Sequence, residues 1–306
     1  MQFEVTILGS NGAIPAYNRH PTAQVLTYNG NSFLIDCGEG TQLQMNRYNI
    51  KRGRLDNIFI SHLHGDHYFG LMGLISSLNL NYRTHPLNIF GPEGLDEIIN
   101  AHLKWGKTEL RYKINFHQLS ADIPVQVYED EFLTVETIIL QHRLPTTGFL
   151  FREKKGQLNI IREKIQEYRI EVKDIVKIKD GGDFILPDGK IIPNKELTHK
   201  PKPPRSYAYC SDTVYTETFL PQIASIDLLY HEGTFAHEHT ARAAETMHST
   251  AKQAAIIASK ANVKQLLIGH FSARYEDLNI LLSEAKTEFL NTSLAIEGET
   301  FQVGLP

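Results

Sequence analysis

The chain has 306 residues, 42% of them hydrophobic, and a formal net charge of −4. This length allows a large buried core, and the acidic balance argues against a surface that is basic throughout. Cys37 and Cys210 are too few for a disulfide framework and suit a reducing compartment, and because the chain starts directly with a strand pattern and has no stretch of membrane-spanning length, we expect a soluble, cytoplasmic protein.

Short β-type runs follow one another along the chain. They predict strands at residues 3–8, 23–28, 32–36, 58–61, 87–90, 132–140, 147–151, 206–210, 228–231 and 265–269. Runs at helical spacing predict helices at 40–48, 68–80, 94–103, 216–224, 249–261 and 275–290. Asn29-Gly30-Asn31 signals a hairpin between the second and third strands. Because a hairpin comes first and strand–helix alternation follows, we expect an α/β (α+β) fold with mixed sheets and outer helices.

Residues 152–205 interrupt this rhythm. They are rich in Lys and Glu and end in a proline cluster, which indicates an insertion that leaves the main body and returns to it at Ser206. The segment holds 14 Lys/Arg against 9 Asp/Glu, a net charge of +5, so the rest of the chain carries −9. A local contact with a polyanion and an ordinary solvated excursion both fit this charge.

The most informative segment is Ser61-His62-Leu63-His64-Gly65-Asp66-His67. It lies between a predicted strand and a predicted helix, where a rigid scaffold can aim several side chains at one point. Imidazole and carboxylate are ligands that zinc and manganese prefer. His62 and His64 can face one point in an extended segment, and the chain can turn at Gly65 so that Asp66 and His67 address a second. We therefore interpret the segment as part of a two-metal site.

A two-metal site needs more ligands than this segment supplies. Three further candidates follow predicted strands, as the segment itself does: His142, Asp212 and His270. A polar residue after a strand is commonly part of a turn, but the common placement of these three favours a shared site. One carboxylate among them can bridge two metals.

With these three residues, the His-Leu-His-Gly-Asp-His motif resembles the metallo-β-lactamase superfamily, and within it the ribonuclease Z family, which matures the 3′ end of tRNA. The resemblance rests on segments spread over most of the chain. They are residues 8–10 with Pro15 and Arg19, then 34–42, 61–67, 148–153, 211–213, 231–235, 248–250 and 270–275.

The resemblance implies a four-layer αββα sandwich with a protruding arm: one domain over residues 1–306, with residues 152–205 as the arm and tRNA-binding exosite. It implies two Zn²⁺ per subunit, with Mn²⁺ or Mg²⁺ as substitutes, and a homodimer that cleaves precursor tRNA and leaves a 3′-hydroxyl. The implied ligands are His62, His64 and His142 for one ion, Asp66, His67 and His270 for the other, and Asp212 as the bridge.

The implied chemistry is attack on phosphorus by a metal-bridging hydroxide, since two cations that share a water lower its pKa. The ribose 3′-oxygen is a poor leaving group unless it is protonated, so a general acid is needed. The resemblance assigns that role to His248, with Glu232 orienting it and raising its pKa. Asp66 can accept the proton of the attacking water. A capping role near the start of the following helix is the alternative for His248, and an ordinary strand-end carboxylate is the alternative for Glu232.

The sequence departs from the family pattern in two places. The arm lacks the expected Gly-Pro-rich stretch, although its positive charge still fits phosphate contacts, and residues 232–234 read Glu-Gly-Thr where the family has Glu-Ala-Thr. The expected substrate-binding residues are Arg19, Lys173, Lys177, Lys179 and Arg274.

Two other functions remain open at this point. One is a phosphodiesterase of the same fold that acts on small nucleotide esters, for which a basic arm would serve no purpose. The other is a non-catalytic RNA-binding or dimerising relative, which the complete ligand set argues against.

Overall fold

The computed structural model describes residues 2–304. In this range the strands are β1 (Phe3–Gly9), β2 (Ala23–Tyr28), β3 (Asn31–Cys37), β4 (Leu55–Phe59), β5 (Leu87–Gly91), β6 (Ile114–Gln118), β7 (Gln126–Glu129), β8 (Leu133–Leu140), β9 (Thr146–Glu153), β10 (Asn159–Ile160), β11 (Phe184–Ile185), β12 (Ile191–Ile192), β13 (Thr198–His199), β14 (Ser206–Cys210), β15 (Leu228–Glu232), β16 (Gln265–Gly269), β17 (Thr292–Leu294) and β18 (Thr300–Gln302). The helices are α1 (Thr41–Arg47), α2 (Gly65–Tyr68), α3 (Leu71–Leu80), α4 (Leu95–Trp105), α5 (Arg162–Glu167), α6 (Val172–Lys179), α7 (Asn194–Leu197), α8 (Thr240–Thr246), α9 (Ala251–Lys260) and α10 (Asn279–Glu288), with 3₁₀ turns at Arg52–Arg54 and His237–His239.

Two seven-stranded sheets form the main body. The first has the order β18-β1-β2-β3-β4-β5-β6 and the second β17-β16-β15-β14-β9-β8-β7. The first sheet is antiparallel from β18 to β3 and parallel from β3 to β6. In the second, β14 to β17 are parallel and β7–β8 is antiparallel. Both sheets are therefore mixed, as the sequence predicts.

A layer of aromatic rings joins the two sheets. Phe33 of β3 packs edge-on against Phe151 of β9 at 5.9 Å between ring centroids, and Phe59 of β4 packs against Phe149 at 5.2 Å. These rings are fully buried, so strands that are apolar on both faces belong to an interior layer. Separate apolar clusters bind α3 and α4 to the first sheet, and α9 and α10 to the second. The predicted αββα arrangement is confirmed.

Residues Glu131–Leu133 and Arg152–Arg205 form a second compact unit. Its core contains Ile170, Ile178, Ile192 and Leu197, and its β10–β13 and β11–β12 pairs are both antiparallel. This small core shows that the basic segment folds around its own apolar side chains. No helix in residues 2–304 is long and apolar enough to cross a membrane.

The predicted helix at 216–224 is wrong. The segment forms turns, because Pro221 cannot donate an intrahelical hydrogen bond and the Thr216 hydroxyl accepts a hydrogen bond from the Thr218 backbone instead. The predicted helix at 68–80 is broken between α2 and α3, and the one at 275–290 starts only at Asn279. Strands β6, β7, β10 to β13, β17 and β18 and helices α5 to α8 were not predicted, since most of these runs are short.

The hairpin prediction is confirmed. Tyr28 pairs with Asn31, and Asn29 and Gly30 both have positive φ, 46° and 85°. Two consecutive left-handed residues are what a two-residue turn of this hand requires.

Candidate metal centre

The candidate ligands lie where strands of the two sheets end. His62, His64, Asp66 and His67 follow β4, His142 follows β8, Asp212 follows β14 and His270 follows β16. Ligand sites of sheets with parallel strands lie at the carboxyl ends of those strands. The structure brings all seven side chains together: His62, His64, His142 and Asp212 form one group, and Asp66, His67 and His270 form the next, with donor atoms of each group within 4.8 Å of one another.

In the first group, three imidazole nitrogens converge on one point. His64 Nδ1 lies 2.9 Å from His62 Nε2 and 3.2 Å from His142 Nε2. Oδ2 of Asp212 lies 3.6 Å from Nε2 of His62 and 3.6 Å from Nε2 of His142. Four donor atoms thus surround one small volume.

The second group is built in the same way around the other oxygen of Asp212. Oδ1 of Asp212 lies 3.2 Å from His67 Nε2 and 3.1 Å from His270 Nε2. Oδ2 of Asp66 lies 3.5 Å from both of those nitrogens. Because the two oxygens of Asp212 face different groups, its carboxylate spans both.

These distances fit divalent metal ions. Ligands about 2.0–2.1 Å from one zinc ion, at the corners of a tetrahedron, are about 3.4 Å apart, and the donor pairs here are 2.9 to 3.6 Å apart. Among the described residues, the buried Nε2 atoms of His67 and His270 also have no hydrogen-bond partner. Such an atom is costly to bury unless it has another partner, and a cation would supply one.

In three of these histidines, neighbouring groups fix which ring nitrogen carries the proton. His142 Nδ1 donates to the Met247 carbonyl oxygen (2.9 Å) and His67 Nδ1 to Asp36 Oδ2 (2.7 Å). The Ser61 hydroxyl donates to Asp36 at 2.9 Å, so it accepts from His62 Nδ1 at 3.0 Å. In all three histidines the Nε2 lone pair therefore points to the ligand cluster, as a metal site needs.

Hydrogen bonds also fix which ring nitrogen of His270 carries the proton. The Thr234 hydroxyl donates to Glu232 Oε2, and a carboxylate can only accept. The Thr234 hydroxyl therefore accepts a hydrogen bond from His270 Nδ1, 3.0 Å away. Nε2 of His270 then carries no proton and is free to bind a metal ion. Thr234 thus links a metal-type ligand to Glu232.

Three further contacts surround this second group. The backbone N–H of Ala13 donates to Asp66 Oδ2 at 2.7 Å. The Tyr209 hydroxyl donates to Asp36 at 2.6 Å. A Cβ atom on Gly12 would fall 2.6 Å from the His270 ring, so a glycine is required there. The sequence alone does not assign a role to Ala13, Asp36, Tyr209 or Thr234; for Asp36, its position near the end of β3 is the available signal.

Three carboxylates influence the pKa of His67. Burial disfavours its charged form, but the carboxylates of Asp212, Asp66 and Asp36 outweigh burial and raise the pKa of His67. Burial opposes ionisation of Asp212 too, yet the imidazoles of His270, His67 and His62 hold its pKa well below the ordinary value. Burial lowers the pKa of His62 and His142. Ionised carboxylates and neutral imidazoles are the ligand forms of these groups, so a cation bound beside His67 would take the place of the proton that the carboxylates favour on its Nε2.

Glu232 and His248 form a pair beside the cluster. Glu232 is fully buried and its Oε1 lies 3.0 Å from His248 Nδ1. Backbone N–H groups of Thr213 and Ser249 also donate to it, at 2.6 and 3.0 Å. Burial opposes a charge on His248, but Glu232 outweighs burial and raises the pKa of His248 to about 9. Glu232 thus favours the protonated form of His248, and Nε2 of His248 is the nitrogen that Glu232 leaves free.

The cluster opens into a cleft of about 670 Å³. Its lining includes Asp66, Asp212, His248 and His270, and also the exposed residues Ile14 and Phe69. Asp212, His270 and the nearby Asp36 have φ of 62°, 57° and 55°, a region that is uncommon for residues other than glycine and that often marks functional sites.

The predicted substrate-binding residues lie in different environments. Arg19 is hydrogen-bonded within the chain: Nε donates to Asn11 Oδ1 at 2.9 Å, and the Nη atoms donate to the carbonyl oxygens of Tyr275 and Glu276. Arg274 is exposed. Lys173, Lys177 and Lys179 lie on α6 of the second compact unit, where Lys173 is exposed and pairs with Glu171 at 2.8 Å.

Comparison with known proteins places the chain in a family. It is 49% identical over 296 residues to the ribonuclease Z of Bacteroides fragilis, covering 97% of both chains, and 50% identical to that of Phocaeicola vulgatus, covering 97% of this chain and 96% of the relative. Residues 3–158 match a family model described as "Anti-Pycsar protein Apyc1".

Solved structures agree on the fold. The short form of human tRNase Z is 28% identical and superposes with a TM-score of 0.72, covering 99% of this chain and 100% of the other. The metallo-β-lactamase fold protein YhfI of Bacillus subtilis has 20% identity and a TM-score of 0.67, covering 98% of both chains. The chain therefore belongs to the ribonuclease Z family, within the metallo-β-lactamase fold, and its residues 3–158 also fall in the family of the Apyc1 model.

Proposed function

We propose that this protein is a zinc-dependent endoribonuclease that removes the 3′ trailer from precursor tRNA and leaves a 3′-hydroxyl on the tRNA. The observation that carries the proposal is the pair of donor groups that share Asp212, with the hydrogen-bonded His248–Glu232 pair beside them. The relatives named ribonuclease Z over 97% of this chain, and the human tRNase Z structure, support RNA and tRNA as the substrate.

Two Zn²⁺ ions would be held by His62, His64 and His142 on one side and by Asp66, His67 and His270 on the other, with Asp212 between them. When bound, such ions activate a water molecule for attack and neutralise charge on the phosphate oxygens. Mn²⁺ and Mg²⁺ also accept carboxylate ligands and are the natural substitutes to test.

The reaction replaces one ester bond of phosphorus. A new bond forms between phosphorus and a water oxygen, and the bond to the ribose 3′-oxygen breaks, which leaves the phosphate on the trailer. Asp66 accepts the proton of the attacking water. His248 donates its proton to the departing 3′-oxygen, and Glu232 holds His248 charged before the transfer.

Cleavage of a precursor tRNA with a 3′ trailer tests this proposal. The wild-type chain should produce tRNA ending at the mature position, and a chelator should abolish the product. Asp212→Ala should bind fewer ions, measured by inductively coupled plasma mass spectrometry, and should lose the activity. Asp122→Ala, an exposed carboxylate outside the cluster, is the matched control. Less than one ion per wild-type chain would contradict the metal assignment.

We also propose that residues 152–205 bind tRNA, within a chain that otherwise forms one domain over residues 1–306. The net charge of +5 in this segment, against −9 elsewhere, supports a phosphate contact. A homodimer in the cytoplasm completes the proposal, on the strength of the family resemblance. Light scattering coupled to size-exclusion chromatography would measure the mass in solution, and a monomer would contradict the dimer.

A further inference from the structure

Phe69 presents its ring to the catalytic cleft. The residue is 65% exposed, and it lines the same cleft as Asp66 and His248. An exposed large apolar side chain beside a polar site is informative, because burying it elsewhere would be favourable. The mechanism proposed above does not use it.

The backbone around Phe69 is tightly held. Its N–H donates to the Gly65 carbonyl oxygen at 2.9 Å, and that of Gly70 donates to the Cys37 carbonyl oxygen at 2.9 Å. A Cβ atom on Gly65 would fall 2.2 Å from the Phe69 ring, and one on Gly70 would fall 2.2 Å from the Gly38 carbonyl oxygen. Gly65 thus lets the ring lie directly against the ligand loop, and Gly70 lets the backbone that follows Phe69 pack against Gly38.

The ring is also supported from the side. Tyr68 packs edge-on against it, with 5.1 Å between the ring centroids. A second apolar residue, Ile14, is 58% exposed and lines the same cleft. The cleft therefore combines charged and imidazole groups with exposed apolar faces.

We propose that Phe69 stacks on an unpaired nucleobase next to the phosphodiester that is cleaved, which rests on the function proposed above. A nucleotide offers a phosphate for the ligand cluster and a flat π-face beside it. Stacking on aromatic side chains binds bases without selecting among them, since every base has a π-face. The partner is either the last base of the mature tRNA or the first base of the trailer.

The test combines a substitution with an abasic substrate. Cleavage rates would be measured for wild type, Phe69→Ala, Phe69→Leu and Phe69→Trp on a precursor tRNA with a normal or an abasic nucleotide on each side of the cleavage site. Loss of one stacked base corresponds to about a 5- to 160-fold fall in kcat/KM. We expect that fall in Phe69→Ala and a large part of it in Phe69→Leu, with Phe69→Trp close to wild type.

The abasic substrates identify the stacked base. We expect one of them to be cleaved as slowly by wild type as the normal substrate is by Phe69→Ala, with no further loss when the two changes are combined. An equal effect of Phe69→Ala on all three substrates, or no effect at all, would overturn the inference. Wild-type cleavage at the mature 3′ end separates these outcomes from failure of the proposed function; if wild type cleaves nothing, both fall together.

Discussion

The Nδ1 atom of His248 lies 3.0 Å from Oε1 of Glu232, and this contact determines the charge of the histidine. Burial alone would favour the neutral imidazole, but the buried carboxylate reverses that preference and raises the pKa of His248 to about 9. A general acid must be protonated before it acts. Glu232 thus extends the pH range in which His248 can protonate a leaving group.

Replacing Glu232 should therefore move the alkaline limit of the activity. In Glu232→Gln the charge that stabilises the imidazolium is gone, so the pKa of His248 falls and its proton is lost at a lower pH. We expect the alkaline limb of the pH profile of kcat to shift to lower pH, with a lower plateau. Glu245→Gln, an exposed carboxylate that pairs with Arg242, should leave the profile unchanged. A Glu232→Gln profile identical to wild type would contradict the role of the pair.

Thr234 should matter for metal binding although it is not a ligand. Thr234→Val keeps the shape but leaves His270 Nδ1 and Glu232 Oε2 without the hydroxyl that joins them. Loss of such a supporting contact lowers metal affinity by about 10- to 100-fold. Competition with a chelating dye would measure the effect. Thr234→Ser, which keeps the hydroxyl, should bind metal like wild type; equal affinities for Val and wild type would refute the linkage.

The proposed tRNA binding by the second compact unit can be tested by reversing some of its charges, without deleting the unit. Reversing Lys173, Lys177 and Lys179 to Glu should lower kcat/KM for precursor tRNA by about 10-fold or more and reduce its salt dependence, because phosphate contacts release counterions. Hydrolysis of bis(p-nitrophenyl) phosphate should not change. Reversal of Lys104, Lys107 and Lys113 to Glu is the matched control, since these three lysines are exposed and lie outside residues 152–205. Equal loss of both activities would instead favour an enzyme for small nucleotide esters.

The cluster could be anticipated from the sequence because its signals are local. His62 to His67 are adjacent in the chain, and His142, Asp212 and His270 each follow a strand whose apolar run is easy to detect. The fold class followed from the same runs. Strand order and the pairing of β9 with β14 needed contacts between segments more than fifty residues apart, which no local pattern encodes.

The supporting contacts were harder to anticipate. Thr234 and Ala13 act through a hydroxyl and a backbone N–H, and either group occurs at many positions with no such role. At residues 216–224 the local composition predicts a helix that the structure does not contain, because Pro221 prevents one.

The contacts of Arg19 allow a test of whether this residue positions a loop of the site or binds the substrate. Its guanidinium donates to Asn11 and to the carbonyl oxygens of Tyr275 and Glu276, and the loop it holds includes Ala13, whose N–H donates to Asp66. Charged hydrogen bonds contribute about 1.5–3 kcal/mol each, so Arg19→Ala should loosen this loop and lower the rate by about 10-fold or more. We expect the loss for both precursor tRNA and bis(p-nitrophenyl) phosphate, because Asp66 serves both reactions. Arg274→Ala, a change at an exposed arginine that precedes Tyr275 in the chain, should spare the small ester. If Arg19→Ala also spares it, then Arg19 acts on the RNA rather than on the loop.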